Sequence, residues 1–256
     1  MTIQNAPVHD FDPTVPLMLL AALVVATIYW LSRRARREQV LANWAQAHGL
    51  RFNHENDEDL LGRLRDEDLI DRFLTFQTFS PLAGDDSCYP IGWNPCVSNT
   101  IRGRWAGKDI IAFDLQYSTD VPGAVKVDAV TSKDRISAVM FPCRFPLKPL
   151  MIRPQWMGDK IARAFRKYNI EPVSFNSRFH VESSDGPWAD QVVHPEMMDF
   201  LMSGHPFCIA MNRQHIIVYQ NSLFTARDLE DACGVGAGII DRLPAEITGN
   251  QGRDAS

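Results

Sequence analysis

The sequence predicts an α+β protein in which an N-terminal transmembrane helix is followed by antiparallel sheet packed with helices. Residues 15–31 contain no charged side chain and are almost wholly apolar. The roughly 200 residues beyond them can bury a core of their own, and they show both strand-like and helix-like patterns. With 45% hydrophobic and 22% charged residues, the chain has the composition of an ordinary globular protein.

The apolar segment is predicted to cross a membrane. At about 1.5 Å per residue, residues 15–32 extend about 27 Å, close to the roughly 30 Å of a hydrocarbon core. Pro16 suits the first helical turn, and Tyr29 and Trp30 lie where aromatic side chains meet lipid headgroups. A buried soluble helix would show a polar stripe, and a cleavable signal peptide would carry positive charge before the apolar run. Neither alternative fits this pattern.

Charge on the two sides of the segment predicts its orientation. Residues 1–14 contain no Lys or Arg, whereas a basic run follows the segment directly. Short basic flanks stay on the cytoplasmic side. We therefore predict a single-pass protein of the bacterial inner membrane with a short extracytoplasmic tail at residues 1–14. The predicted membrane-flanking residues are Tyr29, Trp30, Arg33, Arg34, Arg36 and Arg37.

The remaining chain is predicted to be cytoplasmic and to have three parts. Residues 33–150 form a helical connector and a first α+β part, residues 151–246 a second α+β part, and residues 247–256 a flexible tail. The connector continues the membrane helix to Gly49, a residue typical of a left-handed helix end. Whether the two α+β parts are one domain or two stays open.

The first α+β part combines one helix with a meander of strands. A strand starts at residues 50–53, an amphipathic helix covers 56–73, and residues 80–95 form a loop. Strands follow at 100–105, 109–117 and 136–141. The prolines of residues 145–149 are expected to end this meander, because proline cannot serve an interior strand.

The second part alternates helices and strands. One helix face contains Met157, Ile161, Phe165 and Tyr168, a short strand covers 179–181, and a helix covers 195–202 with Met197, Met198 and Leu201 facing inward. Residues 207–211 and 215–219 are predicted to form a hairpin around the polar residues 212–214. Thr225 is expected to cap a last helix, which Pro244 ends.

Several short segments, in this order, resemble a family of uncharacterised bacterial single-pass membrane proteins with a cytoplasmic domain of unknown function. These segments are Trp44–Leu50, Asn99–Gly103, Ala112–Asp114, Phe175–Val181 with Asp185, and His194–Met198. The resemblance spans nearly the whole chain and implies the same membrane topology. It implies no activity, cofactor or catalytic residue.

Metal and nucleotide sites have weak support in the sequence. His194, Glu196 and His205 are possible ligands by residue type, but helix positions two apart point in different directions. Residues 54–59 are rich in acids yet lack the pattern of a calcium loop, and a solvated helix start explains them better. Glycines at 234, 236 and 238 lack the strand–loop–helix order of a phosphate loop, so we interpret them as positions where a helix approaches a sheet closely.

Two further hypotheses concern thiols and basic residues. The five cysteines have no CxxC spacing, and Cys143 and Cys208 lack any motif of a thiol nucleophile, which favours packing roles. A net charge of −5 argues against nucleic acid as a partner. A basic face in the strand region remains an alternative to an ordinary mixed-charge surface. Its members would be Arg102, Arg104, Lys108, Arg144, Lys148 and Arg153.

These observations favour a non-enzymatic module that is anchored in the membrane and binds a protein partner, with a role in organising the cell envelope. No cofactor or metal is predicted, and the partners are the lipid bilayer and an unknown protein. The alternative is a membrane-tethered hydrolase whose site is assembled from residues distant in sequence.

Overall fold

The computed structural model describes residues 14–66, 93–118, 133–155 and 173–249. The chain divides into two compact units, Met1–Val40 and Leu41–Ser256. Helix α1 (Thr14–Ala47) begins in the first unit and ends in the second. The predicted continuation of this helix to Gly49 is confirmed, since Gly49 has a left-handed φ of 68° and Leu50 N–H donates to Ala45 O at 2.8 Å.

Helix α1 contains residues 15–31, the segment that the sequence predicts to cross a membrane. In the part of the chain that the structure describes, no helix has the length and apolarity that crossing a membrane requires. The described residues do not include the side chains of Tyr29, Trp30, Arg33 and Arg34.

The described elements of the second unit are both helices and strands. In chain order after α1 they are β1 (Arg51–Asn53), α2 (Glu58–Asp66), β2 (Trp93–Trp105), β3 (Lys108–Ser118), β4 (Lys133–Pro154), α3 (Val173–Arg178), β5 (Phe179–Ser183), α4 (Gly186–Val192), α5 (Pro195–Ser203), β6 (Cys208–Gln220), α6 (Ala226–Arg242) and α7 (Ala245–Thr248).

The described strands form one six-stranded antiparallel sheet in the order β1-β2-β3-β4-β5, with β6 also paired to β4. Strand β4 is central because β3 pairs with its first part, β5 with its last residues, and β6 along its other side. The α+β part of the predicted fold class, an antiparallel sheet packed with helices, is therefore confirmed for this unit. Residue 150, the predicted boundary between the two α+β parts, lies inside β4.

The sheet buries apolar side chains on both faces. Because neighbouring residues of a strand point to opposite faces, Val139 belongs to one core and Met140 to the other. The larger core includes Leu41 at the end of α1 and residues of α3 to α7. The smaller core includes Leu60, Leu61 and Leu64 of α2, and burial of each such side chain contributes about 1.5–3 kcal/mol.

Two predictions of strand boundaries are wrong. Residues 145–149 do not end the meander, because β4 continues to Pro154. The strand tolerates Pro146 and Pro149 because β3 pairs only up to residue 140 and β5 only from residue 150, and the register to β6 is irregular between them. The hairpin at 212–214 does not form either. Residues 208–220 are one strand, in which Arg213 takes a positive φ of 51° opposite the irregular part of β4.

Most local signals predict the described elements correctly. The strands at 50–53, 100–105, 109–117, 136–141 and 179–181 are confirmed. Helix α5 buries Met197, Met198 and Leu201 as expected. Thr225 caps α6 in a reciprocal capping box with Asp228. The predicted helix face at 157–168 and most of the loop at 80–95 lie outside the described residues.

Candidate functional site

An open groove on the α2 side of the sheet is a candidate site in the described part of the chain. Its volume is about 630 Å³, and its lining is mostly polar and charged. Paired residues of β1 and β2 form its floor, with Arg51 opposite Arg102 and Asn53 opposite Thr100. Residues 56–59, which lead into α2, form its wall.

Asp57 connects the floor of the groove to its wall. One carboxylate oxygen accepts a hydrogen bond from Leu60 N–H at 2.9 Å and so caps α2. The other lies 2.7 Å from the Arg102 guanidinium. Burial raises the pKa of Asp57, but the Leu60 N–H and Arg102 outweigh it, and the net pKa is lowered. The carboxylate is thus ionised at neutral pH and holds the groove in shape.

Three charged side chains of the groove remain for a ligand. Among the described residues, Arg51, Glu58 and Asp59 form no ion pair with one another or with other side chains, and all three are exposed. Arg51 stands on the floor, whereas the two carboxylates stand at the start of α2. The groove therefore offers charges of both signs to a polar segment. The sequence alone does not identify Arg51 as a groove residue, because its position opposite Arg102 depends on the pairing of β1 with β2.

A second polar cluster lies where β5 and β6 flank the end of β4. Glu182 contacts His180 and the Arg153 guanidinium, the latter at 3.3 Å. Burial raises the pKa of Glu182, but His180 and Arg153 lower it by more. Burial raises the pKa of Cys208 to about 11, and it also raises the pKa of Tyr219. The thiol and the phenol therefore stay protonated at neutral pH and are poor nucleophiles.

The other candidate thiol also lies in the core. Cys143 is 9% exposed, and burial raises its pKa to about 11. Its Sγ donates to Phe141 O at 3.5 Å within the same strand. The described surroundings of Cys143 and Cys208 therefore support the interpretation of both as packing residues.

The structure does not bring the predicted metal-type residues together. His194 Nε2 lies 2.9 Å from Arg242 O, and the His205 ring lies 4.6 Å from the Phe207 ring. Glu196 is in the first turn of α5, where its charge favours the helix, and it lies 3.6 Å from Arg242 Nε. Within residues 14–66, 93–118, 133–155 and 173–249, no group of three or more His, Cys, Asp or Glu side chains could hold a metal ion.

Of the three glycines of α6, Gly236 has the role predicted from the sequence, which is close approach of the helix to the sheet. A Cβ at Gly236 would lie 2.0 Å from the Phe141 ring of β4, and one at Gly238 would lie 2.3 Å from the Phe200 ring. By contrast, Gly234 has no atom within 4 Å of such a Cβ. The helix thus approaches the sheet closely at Gly236, and the segment does not form a phosphate loop.

The predicted basic face is neutralised by acids. Five of its six members lie within ion-pair distance of a carboxylate, which indicates an ordinary mixed-charge surface for these residues. The pairs are Arg102 with Asp57, Arg104 with Asp109, Lys108 with Asp241, Lys148 with Asp185, and Arg153 with Glu182.

All six predicted membrane-flanking residues lie within α1. Arg36 is exposed and Arg37 is half-buried. Towards the N-terminus of the same helix, large apolar side chains are exposed. Met18, Leu20, Leu23, Val24 and Val25 are between 49% and 72% exposed.

The segments that carry the family resemblance have structural roles. Asn99 Nδ2 donates to Asp114 at 2.8 Å, and a Cβ on Gly103 would lie 2.6 Å from Leu50. Arg178 donates to main-chain carbonyls at the end of α5, and Asp185 caps α4. The resemblance therefore rests on residues that stabilise the fold, and the charged groove residues other than Arg102 lie outside those segments.

Comparison with known proteins adds little. No protein-family model matches the chain, and no curated protein sequence matches it. One solved structure that resembles it is the crystal structure of the mycobacterial trehalose monomycolate transport factor A, TtfA. The sequences are 12% identical, the TM-score is 0.47, and the likeness covers 81% of this chain and 96% of that one. A likeness of this degree carries no argument about function.

Proposed function

We propose that this protein is a module of the bacterial inner membrane, anchored by the first part of α1, whose cytoplasmic unit binds a protein partner in the groove between β1, β2 and α2. Such a protein would hold its partner at the inner face of the membrane and so contribute to organising the cell envelope. The proposal has an anchoring half and a binding half, which are tested separately.

The anchoring half rests on the exposed apolar side chains of α1. At about 100° per residue, Met18, Leu20, Leu23, Val24 and Val25 are distributed around the helix, with no gap wider than about 140°. A helix that is apolar all round needs an apolar environment on every side. These side chains are 49–72% exposed, so the part of the chain that the structure describes does not supply that environment. A bilayer meets this requirement, and residues 15–31 contain no charge.

The binding half rests on the form of the groove. Its floor and wall are held by the Asp57–Arg102 ion pair, while Arg51, Glu58 and Asp59 remain available to a ligand. An open, polar surface of this kind suits the rim of a protein interface. The thiols of Cys143, Cys208 and Cys233, by contrast, have raised pKa values, so none of these three favours the hydrolase alternative.

The anchor is tested by washing membranes at alkaline pH, which removes peripheral proteins. We expect the full chain to remain in the membrane fraction after the wash. A chain that begins at Arg37 should be found in the soluble fraction. Release of the full chain by the wash would overturn the anchoring half.

The groove is tested by capture of partners from native membranes with the intact protein. We expect Arg51→Glu to lose a partner that the natural chain retains, because charge reversal on the floor opposes a bound polar segment. Arg227→Glu is the matched control, since it makes the same charge change at an exposed position of α6. Equal capture by all three proteins, each with an unchanged melting temperature, would contradict the groove as the binding site.

A further inference from the structure

The basic run after the apolar segment occupies one side of α1. Residues 33–37 are helical, so their directions follow from about 100° per residue. Measured around the helix axis from the position of Arg33, Arg37 is at about 40°, Arg34 at about 100° and Arg36 at about −60°. The four arginine positions thus span an arc of about 160°. Ala35 and Glu38 lie outside this arc, at about 200° and 140°. Four positive charges thus share one helix side, and the acidic Glu38 lies about 40° beyond its edge.

The axial extent of this arginine face matches one layer of lipid headgroups. From Arg33 to Arg37 the helix rises about 6 Å. The headgroup region adds about 5–7 Å to each side of the hydrocarbon core. Since the apolar segment ends at Leu31, the arginine positions lie about 3–9 Å beyond it along the helix, close to the depth of the headgroup layer of a single leaflet.

We propose that the arginine face, Arg33, Arg34, Arg36 and Arg37, binds the phosphates of anionic phospholipids and concentrates these lipids around the protein. The inference rests on the proposed membrane anchor and adds the chemistry of its lipid partner. Guanidinium groups bind phosphate through paired hydrogen bonds, and the cytoplasmic leaflet is the one that presents anionic lipid. Charges that are grouped on one side of a helix can contact the same cluster of lipids. Charges that are spread evenly around the helix cannot.

To test this proposal, the full-length protein is reconstituted in phosphatidylcholine vesicles. The measured quantity is the association of spin-labelled phosphatidylglycerol with the protein, relative to that of spin-labelled phosphatidylcholine. We expect a preference for phosphatidylglycerol of about fivefold for each arginine that engages a headgroup. Molar salt should weaken it, because screening shortens the range of the charges. The combined variant R33Q, R34Q, R36Q, R37Q should lose the preference while keeping the same helix content.

A matched control removes four arginines elsewhere. Arg63, Arg65, Arg144 and Arg227 are exposed in the second unit, and their replacement by Gln should leave the preference unchanged. Loss of the preference in this control, or equal association of both lipids with the inserted natural protein, would overturn the inference. If the natural protein immobilised no lipid of either kind, the anchor itself would fail, so the two failures are distinguishable.

Discussion

Apolar side chains are buried in the second unit of the chain and exposed in the described part of the first. In Leu41–Ser256, Leu60, Val139 and Ile216 are each 0% exposed, whereas in Met1–Val40, Leu23 is 65% and Val25 is 66% exposed. The second unit therefore supplies its own apolar environment. In the first, the described apolar side chains between residues 18 and 25 are exposed. Apolar composition alone therefore does not define a core. A core also requires other apolar side chains that pack against each apolar side chain.

The largest expected effect comes from a charge placed in each unit. Val139→Asp should prevent folding of the second unit, because it buries an unpaired carboxylate. Val24→Asp should leave that unit's melting temperature unchanged and release the chain from the membrane, since an aspartate at the centre of a span costs about 2.5–3.5 kcal/mol. Thermal melting and membrane retention measure the two effects, with Val24→Leu as the control. A lower melting temperature for Val24→Asp would break the comparison.

Close packing in the second unit is tested within a single helix. Gly236→Ala should lower the free energy of unfolding of the second unit by about 1–3 kcal/mol, because the new methyl group would overlap the Phe141 ring. Gly234→Ala is the matched control: with nothing within 4 Å of the new Cβ, it should stabilise the helix by about 1 kcal/mol. Urea unfolding measures both. Similar changes at the two positions would show that α6 does not approach the sheet as described.

The polar cluster of Arg153, Glu182 and His180 predicts a dependence of stability on acid. The folded pKa of Glu182 is lowered from 4.5, so its contribution to stability is present above that pH and is lost as pH falls through the folded value. Glu182→Gln should flatten this part of the stability curve, although the variant is less stable at neutral pH. Glu246→Gln, at an exposed position, should keep the natural slope. An unchanged slope in Glu182→Gln would assign the acid dependence elsewhere.

The smallest effect concerns the rates at which thiols react. At neutral pH, a thiol with a pKa of about 11 has about one thiolate in ten thousand. Cys143, Cys208 and Cys233 should therefore resist alkylation until the chain unfolds. Cys96 is half-exposed and should react first, in a chain where Cys88 is replaced by Ser. Mass spectrometry gives the order, and rapid labelling of Cys208 in the folded protein would reopen the question of a thiol site.

Local signals in the sequence predict the helix ends well. Gly49 takes the left-handed conformation, Thr225 forms its capping box, and Pro195 starts α5. These features depend on a few neighbouring residues, so a single sequence contains them. The same holds for Asp57, which caps α2 at the acid-rich start that the pattern indicates.

Long-range pairing limits what the sequence predicts. The prolines of β4 and the polar residues 212–214 have the signatures of strand ends, yet the two irregular stretches lie opposite each other in the sheet. The groove depends on the ion pair of Asp57 and Arg102, which are 45 positions apart. No local pattern specifies such a contact, and for the same reason Arg51 could not be recognised as a groove residue.

The central claim, that the first unit crosses the membrane and the second lies in the cytoplasm, is tested most directly by reporter fusions. A reporter that is active only in the cytoplasm is fused after Arg37 in one protein and at Ser256 in another. Because Arg33, Arg34, Arg36 and Arg37 follow the apolar segment, we predict activity at both sites. Activity at both sites of a reporter that works only after export, with no activity of the cytoplasmic one, would contradict the account.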